Sequence, residues 1–168
     1  MASNSGLRLP YFILVFVVLA LDRWTKWLVQ TKLFLNQTIS VIDGFFNITY
    51  VQNTGVAFGF LDPLQSPFKS SALALLIIAA AIGVVIYSWR TPASQKLLQT
   101  ALALILAGAL GNLYDRLRYG FVVDFAELYV RTYRWPAFNV ADSAITIGVA
   151  LLALELFRKE THDSPGRA

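Results

Sequence analysis

The chain reads as an all-α membrane protein of four transmembrane helices, with a small β-rich segment between helices 1 and 2. Three observations lead there. The 168 residues are 57% hydrophobic and 14% charged, with a mean hydropathy of +0.58; soluble domains run at about 45–50% and about 25%. The apolar residues gather into four runs, each near the roughly 20 residues that a bilayer core requires. Polar or β-branched connections separate them. Together the runs make residues 1–168 a single polytopic membrane domain.

The first span covers about residues 10–29. Its apolar half, Tyr11 to Ala20, has the look of a secretory h-region, but no small-x-small cleavage pattern follows. Asp22, Arg23 and Lys26 appear instead, and apolar character resumes at Trp27. The run is therefore expected to be a retained helix. The second span, 70–89, is free of charge and ends on the interfacial pair Trp89-Arg90. The third covers 97–114, and the short Thr91-to-Gln95 connection makes it the antiparallel neighbour of the second. The fourth covers 138–157, with only Asp142 and Glu155 charged.

Two longer connections remain. Residues 31–69 contain Thr38-Ile-Ser-Val-Ile42, Asn47-Ile-Thr-Tyr-Val51 and a glycine-containing stretch from Asn53 to Gly59. β-Branched alternation bounded by turn residues predicts short strands lying on the membrane. Residues 117–137 mix Tyr119, Phe121, Tyr129, Tyr133 and Trp135 with Arg118, Arg131 and Arg134, a composition suited to the headgroup layer. With four spans, both connections fall on one side and both termini on the other. Lys and Arg divide almost evenly between the two sides, so charge does not set the orientation. Residues 159–168 are polar and include Pro165 and Gly166; a disordered tail is expected.

Composition also narrows the chemistry. The chain has no cysteine, which removes thiol nucleophiles and cysteine-ligated metals. The only histidine, His162, lies in the expected tail, so neither a metal site nor a histidine-based triad is expected. The net charge of +4 is scattered between apolar segments rather than gathered in a stripe. Anionic lipid headgroups fit this better than nucleic acid. No cofactor is implied. Catalysis would rest on carboxylates, hydroxyls, amides, Lys or Arg.

Asp124 and Asp142 stand out because each sits where an apolar segment meets a polar loop. A carboxylate near the bilayer is expensive and needs a reason. Asp142 falls in the first turn of the fourth span, where the helix dipole favours negative charge. Asp124 is flanked by Val123 and Phe125, and burial there favours the protonated acid. That asymmetry suits a general acid and general base sharing a water. In the third span Gly108, Gly111, Asn112 and Asp115 share one face. Close helix packing through the glycines is the alternative reading of that stripe. Asp115 and Arg116 read as a structural pair at the helix end, although Arg116 could reach a substrate carbonyl. Asn139, Asp142 and Thr146 share a face of the fourth span, with Asn139 suited to an N-cap. A serine mechanism through Ser143 lacks a nearby lysine; Lys26 has a simpler partner in Asp22 at i,i+4. Ion transport and a purely packing role for the aspartates remain rival readings.

Asn53-Thr-Gly-Val-Ala-Phe58, Gly108-Ala-Leu-Gly-Asn-Leu-Tyr-Asp-Arg116, Val122-Val-Asp-Phe125 and Phe138-Asn-Val-Ala-Asp-Ser143 together resemble the bacterial lipoprotein signal peptidases (signal peptidase II). Asp22 with Lys26 resembles the N-terminal motif of that family. The resemblance spans about residues 10–157 and implies an aspartic endopeptidase of the cytoplasmic (inner) membrane. Such enzymes remove the signal peptide from prolipoproteins, cutting before a diacylglyceryl-cysteine. By position, Asp124 and Asp142 match the catalytic pair. Asn53, Gly55, Asn112, Arg116 and Asn139 match residues that line or support the substrate site. The resemblance also implies cytoplasmic termini, an extracytoplasmic β-rich segment and active site, and prolipoproteins and membrane lipids as partners. The 31–69 connection would then cover the site and exclude water.

Overall fold

The computed structural model describes residues 8–55 and 69–163. Four helices carry the molecule: α1 (Leu9–Lys32), α2 (Lys69–Arg90), α3 (Lys96–Tyr119) and α4 (Val140–Asp163). At 1.5 Å per residue, 22 to 24 residues give about 33–36 Å, enough for a hydrocarbon core of about 30 Å. Pro10 supplies the fixed φ favoured in the first turn of α1. Gly120, at φ +81°, ends α3 in the left-handed conformation, and its N–H bonds Arg116 O at 3.1 Å.

By length and composition α2, α3 and α4 are candidate membrane spans, whereas α1 is not counted among them. The difference is local. Asp22, Arg23 and Lys26 place three charges within five residues of α1, and Asp22 and Lys26 are buried, with Arg23 and Lys26 turned to Asp115 of α3. The rest of α1 presents Phe12, Phe16, Trp24 and Trp27 outward. α2 likewise exposes Leu75, Leu76, Ile82 and Ile86, as a lipid-facing helix must.

α3 is the central helix and packs against α1, α2 and α4. Its contact with α4 is close because side chains are missing there. A Cβ on Gly108 would collide with the Ala141 carbonyl, and one on Gly111 would lie 2.7 Å from Asp22 Oδ2. The glycine stripe of α3 is thus a packing surface, the alternative raised above.

At one end of the helices lies a four-stranded antiparallel sheet in the order β1 (Thr38–Ile42), β2 (Phe46–Asn53), β3 (Val122–Val130), β4 (Tyr133–Arg134). The strands expected in 31–69 are β1 and β2. The 117–137 connection, whose composition suits the headgroup layer, contributes the other half of the sheet. Val122 to Val130 is rich in the β-branched and aromatic residues that strands favour, but its polar residues, Asp124 and Glu127, do not alternate with apolar ones. Pairing of β2 with β3 sets Val51 opposite Asp124 and Asn53 opposite Val122. Val29, Tyr50 and Val123 form the small core beneath, with Ile48, Phe121 and Phe125 packed on it.

Helix bounds also depart from expectation. α3 runs on to Tyr119 and α4 to Asp163, so Lys159–Asp163, expected in the tail, continue the helix. Backbone hydrogen bonding carries a helix past the edge of its apolar pattern. Residues 164–168 and 56–68, which include the Val56–Phe58 part of the Asn53 motif and the Leu61–Leu64 loop, lie outside the described residues.

Candidate active site

The sheet and the start of α4 are stitched together. Phe138 N–H bonds Ala126 O at 3.0 Å, and Ala126 N–H bonds Phe138 O at 2.8 Å. This bridge delivers Asn139 beside β3, one residue before the helix begins. Asn139 then caps α4: Asp142 N–H bonds Asn139 Oδ1 at 2.9 Å, and Asn139 N–H bonds Asp142 Oδ2 at 3.2 Å. That reciprocal pairing is a capping box with aspartate in the third position.

The free half of the Asn139 amide turns to the other aspartate. Its Nδ2 donates to Asp124 Oδ1 at 2.7 Å. Asn53, at the end of β2, donates to Asp124 Oδ2 at 2.9 Å. Asn112, from α3, donates to Asp142 Oδ1 at 2.7 Å. Each carboxylate thus accepts two N–H bonds, and Asn139 serves both. Asp124, Asp142, Asn53, Asn112 and Asn139, scattered over four elements and one loop, come together in one polar cluster.

Asp124 is 2% exposed. Burial pushes its carboxyl up to about 7, helped by the charge on Asp142 and opposed by the Asn53 and Asn139 hydrogen bonds and the Lys26 charge. A carboxyl in that range holds or releases a proton near neutral pH, as a general acid or base requires.

Gly55 and Arg116 are joined to each other: Arg116 Nη2 donates to Gly55 O, and Gly55 N–H bonds Asn53 Oδ1 at 2.9 Å. Arg116 therefore does not pair with Asp115. The structural pair expected at the helix end is replaced by a different one, because Asp115 points the opposite way, into α1. Arg23 Nη1 reaches Asp115 Oδ1 at 2.6 Å and Lys26 Nζ reaches Asp115 Oδ2 at 2.8 Å. The i,i+4 contact of Lys26 with Asp22 is present at 3.0 Å. Arg116 Nε and Nη1 are buried with no hydrogen-bond partner among the described residues. Ser143 Oγ is spent on Asn139 O at 2.9 Å, and no lysine amine faces it among the described bonds.

A cavity of about 470 Å³ opens between β3 and α4, with Asn53, Asp124 and Asp142 at its polar end and Leu128, Trp135 and Ile145 among its apolar walls. A second cavity, about 280 Å³, lies between α1, α2 and α3 and has no carboxylate in its lining. Acid–base chemistry is available only in the first of these. No group of three metal-ligating side chains occurs among the described residues.

Lys26 bridges Asp22 and Asp115, a wider cluster than the Asp22–Lys26 pair that the sequence suggests. Charges in the middle of an apolar helix cannot face lipid, so they require partners on a second helix.

The profile of the family Signal peptidase (SPase) II matches residues 14–158. The "Lipoprotein signal peptidase" of Geobacter sulfurreducens is 49% identical over 88% of this chain and 91% of its own length. That of Syntrophus aciditrophicus is 43% identical over 88% and 92%. Two solved bacterial membrane enzyme structures, determined by the in meso method, superpose with TM-scores of 0.83 and 0.78 at 32% and 33% identity. They cover 95% and 88% of this chain, and 94% and 92% of their own. A match over most of the length, in sequence and in fold, makes this chain a membrane-embedded protease of the signal peptidase II family.

Proposed function

We propose that this protein is an aspartic endopeptidase that removes the signal peptide from prolipoproteins, cutting before a diacylglyceryl-modified cysteine. Asp124 and Asp142 activate the water. The observation that carries the reading is Asn139, which bonds both carboxylates at the polar end of an apolar cavity. The names of the relatives supply the substrate class.

In the reaction, Asp142 is the ionised member. It lies in the first turn of α4, where the N-terminal end of the helix favours negative charge. Asp124, pushed up to about 7, is the protonated member. Asp142 takes a proton from water as the hydroxide attacks the scissile carbonyl. Asp124 gives its proton to the carbonyl oxygen, and a neutral tetrahedral diol results. Asp142 then passes its proton to the leaving nitrogen while Asp124 recovers one from the diol. The C–N bond breaks and leaves a carboxyl on the signal peptide and a free amine on the lipidated cysteine. The water is consumed and the dyad returns to its starting state. No covalent enzyme intermediate and no metal are needed.

The remaining residues bind and orient. Asn53 and Asn139 hold Asp124, and Asn112 holds Asp142. Arg116 is anchored to Gly55 O and keeps two N–H groups without a partner among the described residues, which we assign to the substrate backbone. The apolar cavity walls receive the signal segment, and the diacylglyceryl chains stay in lipid beside α4, which fixes the bond against the dyad. All four helices span the inner membrane, α1 included because its charges are internally paired. The termini are then cytoplasmic and the sheet extracytoplasmic.

The test is incubation of purified protein in detergent with a diacylglyceryl-modified prolipoprotein, with release of the signal peptide as the readout. Cleavage that survives thiol reagents, serine-directed reagents and chelators supports the aspartic reading. Loss on chelation that a metal ion restores would sink it.

A further inference from the structure

Behind the dyad lies a buried cluster that the reaction scheme does not use. Asp22, Lys26 and Asp115 are each at most 1% exposed. Arg23 closes the cluster at its edge, bonding Asp22 and Asp115 and stacking its guanidinium 4.7 Å over Tyr114. Two positive and two negative side chains leave it neutral. Burying an ion costs several kcal/mol unless its partners are well placed, so the geometry of each bond matters.

An ammonium has three donors and no acceptor. Those of Lys26 are fully assigned: Asp22 Oδ2 at 3.0 Å, Asp115 Oδ2 at 2.8 Å and Asn112 Oδ1 at 3.0 Å. The third bond decides which way the Asn112 amide faces. Its oxygen must meet Lys26, so its NH₂ must meet Asp142. Asn139 Nδ2 adds a weaker contact to the same oxygen at 3.3 Å. The two carboxylates that hold Lys26 also reach the backbone next to each aspartate. Asp22 Oδ1 accepts the N–H of Ala141, one residue before Asp142, at 3.0 Å. Asp115 Oδ2 accepts the N–H of Val123, one residue before Asp124, at 3.2 Å.

We propose that Lys26 is a positioning residue for the dyad: gripped by Asp22 and Asp115, it locks the Asn112 carboxamide with its NH₂ towards Asp142. This rests on the reading of Asp124 and Asp142 as the cleaving pair. Charge neutrality alone would not require it, since Arg23 already bonds both cluster carboxylates. What Lys26 supplies is the charged and shorter of the two bonds to the Asn112 oxygen, 3.0 Å against 3.3 Å from Asn139 Nδ2. Without it the amide is free to rotate and set its oxygen against the Asp142 carboxylate.

The deciding variant pairs Asp22→Asn with Lys26→Met. It removes one charge of each sign and keeps the 2.6 Å Arg23–Asp115 bond, and an Asn oxygen still accepts from Ala141 N–H. The charged groups around Lys26 are Asp22 and Arg23 on α1, Asp115 and Arg116 on α3, Asp124 on β3 and Asp142 on α4. With their balance kept, the pH profile of kcat/KM should stay near that of the wild type. A cooperative melt in detergent shows that the variant is folded. We expect kcat on the diacylglyceryl-modified prolipoprotein to fall on the order of 10–100-fold, with KM within about threefold. Lys26→Met alone leaves the cluster one charge short and should also move the profile to higher pH. Wild-type kcat in the folded paired variant would overturn the proposal. If the paired variant does not melt cooperatively, Lys26→Gln against Lys26→Met decides. Gln retains a donor for Asn112, so several-fold higher kcat than Met supports positioning, and equal kcat overturns it. Failure of the wild type itself to cleave would instead overturn the functional reading, a distinct outcome.

Discussion

The Asn139 side chain donates to Asp124 Oδ1 at 2.7 Å from the residue just before α4. Asn139 is the N-cap of α4, and the cap and the dyad contact use opposite halves of one amide. Replacing it therefore removes a helix cap, worth about 1 kcal/mol, and also uncouples the aspartates. Asn139→Ala should lower kcat/KM by at least about 100-fold while the melting temperature drops only a few degrees. Near-normal turnover would show that the dyad does not depend on this bridge.

Asp124 and Asp142 should behave as one unit. Either Asn substitution is expected to abolish cleavage, and the double substitution should cost little more than either alone. Single-turnover rates of the three variants check this. Losses that multiply would argue against a shared water.

The Asp124 carboxyl, raised to about 7 by burial, links activity and stability to pH. As the general acid it must keep its proton, so kcat/KM should fall as pH rises through about 7. Stability follows the same sign. A carboxyl raised in the folded state favours folding below the unfolded value near 4, and that contribution is lost as pH rises through about 7. Asp124→Asn escapes the loss and should melt above the wild type at pH 8, with the gap closing towards pH 4. A shift of about 3 units sets a ceiling of about 4 kcal/mol. A gap that is absent at pH 8 would refute the raised value.

Asn53 donates to Asp124 and so favours its ionised form. Asn53→Ala should move the alkaline limb of the profile to higher pH as well as lowering kcat. A limb that stays in place would detach Asn53 from Asp124.

The α3 glycine stripe is open to a stability test. Gly111→Ala places a methyl 2.7 Å from Asp22 Oδ2, where neither α4 nor the charge cluster can give way freely. A loss of about 1–3 kcal/mol is expected. Gly83→Ala on α2, with nothing within 4 Å, should be neutral or slightly stabilising. Equal melting temperatures for the two would remove the packing argument.

Topology can be read directly because the chain has no cysteine. A cysteine at position 43, in the exposed β1–β2 turn, should react with an impermeant reagent on intact cells or spheroplasts. One at exposed position 94, between α2 and α3, should react only after the membrane is opened. The reverse pattern would put the active site on the cytoplasmic side.

The apolar runs alone determined the helices, because a bilayer core demands length and hydrophobicity that composition displays directly. The strands Thr38–Ile42 and Asn47–Val51 were legible for a similar local reason, their period-two alternation. Asp124 and Asp142 stood out because a carboxylate beside lipid is costly wherever the chain goes next. What no local pattern could decide was pairing. β3 was hidden, because its polar residues do not alternate with apolar ones, until β2 claimed it as a partner. Asp115 looked tied to its neighbour Arg116, yet the helix sends the two side chains about 100° apart; one meets Lys26 and Arg23, the other Gly55. The orientation of the Asn112 amide likewise depends on a lysine 86 residues away. Hydrogen bonds and ion pairs are set by distances of about 3 Å between groups far apart in the chain, and only the folded packing of α1, α3, β3 and α4 brings those distances about.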